Sequence, residues 1–104
     1  MINASLNSNL LEDFKQNGFL VLDEFIDLQY LEKLRERIEP LFQGEFETGI
    51  EPDEWNWKYG RDPNDVTRQI CNAWKSDYLI KKIVCNSIIG ECVSKLMGWK
   101  GARL

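Results

Sequence analysis

An amphipathic stripe between residues 28 and 41 constrains the fold of this chain more than any other feature of its sequence. Charged residues from Glu32 to Arg37 occupy the other faces of the segment, and Asp27 is a good N-cap for a helix. A helix with one apolar face must bury that face against another layer. We therefore expect a helix whose mid-stripe residues Leu34 and Ile38 are buried. The full stripe comprises Leu28, Leu31, Leu34, Ile38 and Leu41.

Local start and stop signals predict three further helices. The first covers about residues 7–17 and is capped by Ser8 or Asn7, the third is capped by Ser76 or Asp77, and the fourth follows residues 86–87. Glycines at 18 and 98 are placed to end the first and the fourth in the left-handed conformation. In the fourth helix we expect Ile89 and Val93 to be buried, since they lie in the middle of its apolar face.

Two segments between these helices are predicted to be extended, and a third breaks the pattern. The apolar run Phe19–Leu22 has the length of a buried strand, and residues 66–74 form another extended stretch. Residues 43–65 hold glycines, prolines and the rings of Trp55, Trp57 and Tyr59. These rings either dock the loop on the core or line the mouth of a substrate pocket. Because they alternate along the sequence, a short strand is the third alternative.

The charge and the cysteines limit the classes of partner and the cellular location. The net charge of −4 argues against a nucleic-acid partner and against an anionic membrane surface, because both need a basic face. No apolar run approaches the length of a membrane span. Three cysteines without a paired spacing indicate reduced thiols, a cytoplasmic setting and small buried side chains.

The chain has no histidine, which excludes several kinds of catalytic centre. Histidine is the commonest general base and metal ligand near neutral pH. Its absence rules out Ser-His and Cys-His nucleophile pairs and the iron site made of two histidines and one carboxylate. We therefore expect no catalytic residue and no metal ligand within this sequence.

The order of the segments resembles the N-terminal portion of the phytanoyl-CoA dioxygenase family. The resemblance begins with the run FKQNGFLVL at residues 14–22 and continues with the amphipathic helix over residues 28–41. It includes the run NAWKSD at residues 72–77, two helices, and the run LMGWKGARL at residues 96–104. It extends over essentially the whole chain.

This resemblance implies an α+β, mostly α-helical segment of a double-stranded β-helix (jelly-roll) oxygenase. Residues 1–104 would be a single N-terminal segment, incomplete at its C-terminus, of an enzyme that uses iron(II) and 2-oxoglutarate to hydroxylate a small organic or acyl substrate. The family's His-x-Asp pair and distant histidine would lie downstream, so this segment would not be catalytically competent alone. Its expected partner is the missing C-terminal β-helix half, or a second copy through self-association.

One residue can be carried over from the family as a site residue. Family members place a basic residue that reaches the cosubstrate ahead of the third helix, and Arg68 is the nearest match here. The resemblance thus implies that Arg68 contacts 2-oxoglutarate. The competing interpretation is an ordinary arginine at a strand edge or on the surface.

Two other readings of the sequence stay open. The chain is alternatively a small autonomous α-rich binding or scaffold domain, in which the apolar stripes must cover one another. An enzyme that relies only on acids, lysines and thiols has little support. Asp62 and Asp65 flank Pro63 in a turn-like segment, where Asp commonly makes local hydrogen bonds.

Overall fold

The computed structural model describes residues 2–104, which form an α+β fold that is mostly helical. They divide into a terminal unit, residues 2–30 and 85–104, and a central unit, residues 31–84. The elements found in the described residues are α1 Ser8–Asn17, α2 Leu28–Phe42, β1 Glu54–Trp55, β2 Ile70–Cys71, a 3-10 turn Ala73–Lys75, α3 Tyr78–Val84 and α4 Ser87–Met97.

The first helix begins and ends at the residues that its sequence signals predict. The side chain of Asn7 accepts a hydrogen bond from the Leu10 backbone N–H at 2.9 Å, which satisfies one of the free donors of the first turn. Gly18 adopts a left-handed φ of 75° and donates to the carbonyl of Phe14. The predicted N-cap and C-terminal glycine of α1 are therefore confirmed.

The fourth helix is bounded in the same way. The Asn86 side chain accepts from the Ile88 N–H at 2.9 Å. Gly98 lies at φ 67°, and the following Trp99 N–H donates to the Ser94 carbonyl at 2.9 Å. The Gly98 N–H also donates to the Lys95 carbonyl, which completes the hydrogen-bond pair of a glycine-terminated helix. The predicted C-terminal glycine of α4 is therefore confirmed.

The predicted buried strand at Phe19–Leu22 is wrong. The segment is not a strand, and its backbone makes no hydrogen bond to any residue of the described range 2–104. Phe19 and Val21 are 64% and 70% exposed, whereas Leu20 and Leu22 are half-buried. A strand requires a neighbouring strand for its ladder, and an apolar run cannot supply that neighbour.

The apolar stripe of α2 is only partly buried. Leu41 is 2% exposed and belongs to the core, but Ile38 is 43% exposed and Leu34 is half-buried. Burial of Ile38 was expected from its mid-stripe position, and that expectation is wrong. The spacing of apolar residues shows which face of a helix is apolar, but burial also needs a layer that covers it. The helix continues through Pro40 to Phe42.

The apolar face of α4 behaves similarly. Cys92 and Ser94 are buried, Ile89 is half-buried, and Val93 remains exposed. The expected burial of Val93 is therefore wrong. The buried hydroxyl of Ser94 donates to the carbonyl one turn earlier, at Gly90, at 2.7 Å, which satisfies it without a partner from another element.

A short antiparallel ribbon organises the central unit. Glu54 pairs with Cys71 and Trp55 pairs with Ile70, so only part of the predicted extended stretch 66–74 is a strand. The third helix begins as its sequence signal predicts, because Asp77 Oδ1 accepts from the backbone N–H groups of Leu79 and Ile80.

The cysteines were expected to be reduced and buried. All three cysteines are free, but Cys92 alone is buried, Cys71 is half-buried and Cys85 is exposed. The expectation of buried cysteines is therefore wrong for Cys85.

Across the described part of the chain, every helix is too short or too polar to span a bilayer.

Candidate functional site

Two aromatic rings of the central unit form a platform, defined here as Phe42 and Trp57. Their centroids lie 6.0 Å apart with an interplanar angle of 86°, an edge-to-face contact. Trp57 is buried, and its indole Nε1–H donates to the Pro63 carbonyl at 2.8 Å. Because the indole is held at both its face and its polar atom, the platform has a fixed position within this unit.

Arg68 lies on this aromatic platform. Its guanidinium carbon is 4.7 Å from the centroid of Phe42 and 4.7 Å from that of Trp57. Both distances fall within the range of cation–π attraction. The two rings therefore hold the guanidinium carbon by cation–π contacts and leave its N–H groups able to bind an anion.

A carboxylate of the chain binds these N–H groups. Arg68 Nη2 donates to Glu39 Oε1 at 2.7 Å, and Nη1 donates to Oε2 at 3.3 Å. This bidentate hydrogen bond to Arg68 lowers the pKa of Glu39 and raises that of the arginine. The Arg68 side chain is 23% exposed and that of Glu39 is 58% exposed, so the pair lies where the protein meets solvent.

The ribbon and the helix together explain why these residues meet. If the β1–β2 register is continued by two residues, Trp57 lies opposite Arg68. Glu39 and Phe42 are three residues apart on α2, a spacing that places two side chains on the same helix face. One turn of α2 therefore supplies both a ring and a carboxylate to the arginine that the ribbon presents.

A second cationic side chain of this unit lies on an aromatic ring and not on an acid. Lys58 Nζ is 3.0 Å from the centroid of the Trp55 ring, which also contacts Phe46 edge-to-face at 5.1 Å. Gly44, at φ 86°, backs this ring: a Cβ there would lie 2.7 Å from Trp55 Cη2. The Trp55 ring therefore packs directly against the backbone of Gly44, and any residue other than glycine at position 44 would clash with it.

A buried ion pair fixes the start of α3 to α2. Asp77 has no exposed surface, and its Oδ2 accepts from Arg37 Nε at 2.7 Å. Glu47 lies 3.3 Å from the same nitrogen. The hydrogen bond that Arg37 donates to Asp77 raises the pKa of Arg37. Every charge in this network has a partner, which is typical of a structural role.

Of the residues predicted from sequence, Arg68 contacts both rings of the aromatic platform and pairs with Glu39. Trp57 docks on the core, as one interpretation of the aromatic loop predicts, whereas Tyr59 is exposed. The alternative of a strand through Trp55, Trp57 and Tyr59 holds only for Glu54–Trp55. Asp62 makes the local hydrogen bonds expected of a turn aspartate, since its Oδ2 accepts from the backbone N–H of Lys58 and from Arg61.

Sequence reasoning did not single out Glu39. The residue lies on the polar side of an amphipathic helix, where acids are ordinary. The signal that could have identified it is its spacing of three residues from Phe42, combined with the ribbon register. That register was not visible because most of the loop 43–65 lacks a strand pattern.

The donor atoms of this chain fit a carboxylate ligand but not an iron ion. The facial iron site of the oxygenases needs two imidazoles, and the sequence contains no histidine. Among residues 2–104, no group of three or more cysteines, aspartates and glutamates is arranged to hold a metal. Arg68, in contrast, presents the planar pair of donors that matches a carboxylate.

Comparisons with known proteins identify no relative. No family model, no curated protein and no solved structure matches this chain.

Proposed function

We propose that this chain is the N-terminal part of a phytanoyl-CoA-dioxygenase-like, iron(II)- and 2-oxoglutarate-dependent oxygenase, and that Arg68 contacts a carboxylate of the cosubstrate. The observation that carries the proposal is the position of Arg68: its guanidinium is oriented by two rings and directs a bidentate fork at a carboxylate near the surface. The chain contributes binding and orientation, and it is not catalytically competent alone.

The helical architecture supports this proposal. The helices of the family resemblance begin and end here at the expected caps, including Gly18, Asp77 and Gly98. Apolar side chains on α2 and α4 remain exposed, as in a helical layer meant to cover a sheet. The apolar segment Phe19–Leu22 is not a strand, and it leaves Phe19 and Val21 exposed. The proposal assigns these surfaces to a β-helix half.

The role of Arg68 follows from its chemistry. A guanidinium binds a carboxylate through two parallel hydrogen bonds, which fix the orientation of the bound acid as well as its position. Burial of one face of the guanidinium against rings strengthens this interaction, because fewer water molecules compete for the cation. In the proposed enzyme, Arg68 holds and orients 2-oxoglutarate, while the iron ligands come from outside residues 1–104.

The test measures conversion of 2-oxoglutarate to succinate by the protein that the intact gene encodes. Loss of a hydrogen bond to a charged group costs about 1.5–3 kcal/mol, so Arg68→Gln is expected to raise the KM for 2-oxoglutarate roughly 10- to 150-fold. Arg61→Gln is the matched control, because Arg61 is an exposed arginine engaged with Asp62. An unchanged KM in Arg68→Gln contradicts the assignment of Arg68.

A second candidate function is a small autonomous α-rich binding or scaffold domain. The observation that favours it is the fully buried Asp77, which is satisfied within the central unit by Arg37 and by the first turn of α3. This carboxylate needs no partner from outside the unit. A compact monomer that does not bind a hydrophobic dye supports this candidate, and exposed apolar surface that drives association supports the oxygenase segment.

A further inference from the structure

We propose that Glu39 is an internal competitor for the carboxylate site on Arg68, and that a small carboxylate ligand binds by displacing it. This inference rests on the proposed function, because it adds a means of regulation to the same site. In the closed state, which the structure shows, Glu39 binds Arg68 in place of the ligand carboxylate. In the open state Glu39 has left, and the aromatic platform holds Arg68 in position to bind the ligand.

The first argument is that one set of donors serves both partners. The Nη atoms that form the fork are the atoms that bind Glu39, at 2.7 and 3.3 Å. A ligand carboxylate that binds end-on, through Nη1 and Nη2, needs the same two donors. The two carboxylates cannot occupy these donors at once. The apparent affinity for a ligand is therefore the intrinsic affinity multiplied by the fraction of molecules in which Glu39 is not bound to Arg68.

The second argument is that Arg68 stays oriented when Glu39 leaves. The guanidinium lies 4.7 Å from each of two ring centroids, and the ring of Trp57 is itself fixed by its hydrogen bond to Pro63. These contacts do not involve the carboxylate. An arginine supported by Glu39 alone would become mobile when Glu39 leaves, whereas cation–π contacts with two rings keep the cation in place for a new anion.

The third argument is that Glu39 leaves without loss of any other bond. Within residues 2–104, its carboxylate makes hydrogen bonds to Arg68 alone, and more than half of the side chain is exposed. Arg35 lies one turn earlier on the same helix, is exposed, and has no ion pair within the described range. Residues four apart on a helix are neighbours, so Arg35 offers the displaced carboxylate a second cation.

The test is a titration of the 104-residue chain with 2-oxoglutarate and, separately, with acetate in the absence of iron. Binding is followed through the indole N–H resonance of Trp57 in NMR spectra. Glu39→Gln removes the competing charge and keeps a good helix former, and Glu39→Ala repeats the test without a polar group. Glu36→Gln is the matched control, because Glu36 is an exposed acid on the same helix that does not pair with Arg68.

The expected result is a three- to tenfold lower Kd, as an order of magnitude, in both Glu39 variants than in the parent and in Glu36→Gln. The additional change Arg68→Gln should abolish that gain. An equal Kd in the parent and both Glu39 variants overturns the inference, as does weaker binding, which would show that Glu39 positions the arginine. Absence of Arg68-dependent binding in every variant overturns it too. Because the titration contains no iron and no turnover, competition by Glu39 can fail while the KM effect of Arg68 stands.

Discussion

Replacement of Asp77 should destabilise the central unit more than replacement of any exposed acid. One carboxylate performs two tasks there: Oδ2 accepts from Arg37 Nε at 2.7 Å, and Oδ1 accepts from the Leu79 and Ile80 N–H groups at 2.9 and 3.0 Å. Asp77→Ala removes both. The change leaves the cation without its closest partner and the first turn of α3 without its cap.

The magnitude follows from these two losses. Removal of one partner from a buried ion pair costs about 3–5 kcal/mol, because the other charge is left uncompensated. The Arg37 side chain is 20% exposed and Glu47 lies 3.3 Å away, so water and this second acid offset part of that cost. Loss of the cap adds about 1 kcal/mol. We therefore expect about 3–4 kcal/mol in total, a large share of the typical 5–15 kcal/mol.

Urea denaturation followed by tryptophan fluorescence measures this loss. Asp77→Asn keeps a cap oxygen and loses the charge, so its free energy of unfolding should fall by about 1–3 kcal/mol. Asp65→Ala is the control, since Asp65 is exposed and makes no hydrogen bond or ion pair within residues 2–104, and it should change stability by less than about 0.5 kcal/mol. If Asp77→Ala and Asp65→Ala unfold at the same urea concentration, the argument from the buried pair is refuted.

Four further outcomes can be checked on the same chain. Leu41→Ala should cost about 2–5 kcal/mol in urea denaturation, and Ile38→Ala clearly less, because Leu41 is 2% and Ile38 43% exposed; equal losses would contradict this. The side chains of Lys75 and Asn72 donate hydrogen bonds to Asp53 and lower its pKa. The stabilisation that ionised Asp53 contributes is therefore present above its unfolded pKa of about 3.9, and it is lost as the pH falls through its lower pKa in the folded state. The urea midpoint of the parent should therefore fall more between about pH 5 and about pH 2 than that of Asp53→Asn. Calorimetry should detect no micromolar iron(II) binding, with or without 2-oxoglutarate, since the chain has no histidine; one-to-one binding would refute it. Finally, hydrophobic-dye fluorescence or gel filtration should reveal exposed apolar surface or oligomers, and a dye-silent monomer would oppose the oxygenase segment.

The helix boundaries could be predicted from the sequence because their causes are local. Asn7, Asp77 and Asn86 accept hydrogen bonds from N–H groups two or three residues later, and Gly18 and Gly98 adopt positive φ. Each signal and its partner lie within one turn of chain. These capping signals therefore predict helix ends without knowledge of the tertiary structure.

The burial of the apolar stripes could not be predicted in the same way. Ile38 and Val93 lie in the middle of apolar faces, yet both are exposed. The run Phe19–Leu22 is apolar without a break, yet it pairs with no strand in the described residues. Burial and pairing depend on a second element at a distance, and periodicity in one segment carries no information about that element.

The candidate site was predictable in one residue only. Arg68 was indicated by the family resemblance, but its contacts with Glu39 and Phe42 join positions 29 and 26 residues away in the chain. Such contacts depend on the ribbon register, which places Trp57 opposite Arg68 if the β1–β2 pairing is continued by two residues. The alternation of Trp55, Trp57 and Tyr59 predicted a strand as one alternative, but it did not show which segment pairs with that strand.

The most direct measurement of the central claim is the nucleotide sequence of the intact transcript downstream of codon 104. The account predicts an open reading frame that encodes a His-x-Asp pair and, further on, a second histidine and an arginine. These residues would supply the iron ligands that residues 1–104 lack. A transcript whose coding sequence contains no such set would contradict the assignment of this chain to an iron- and 2-oxoglutarate-dependent oxygenase.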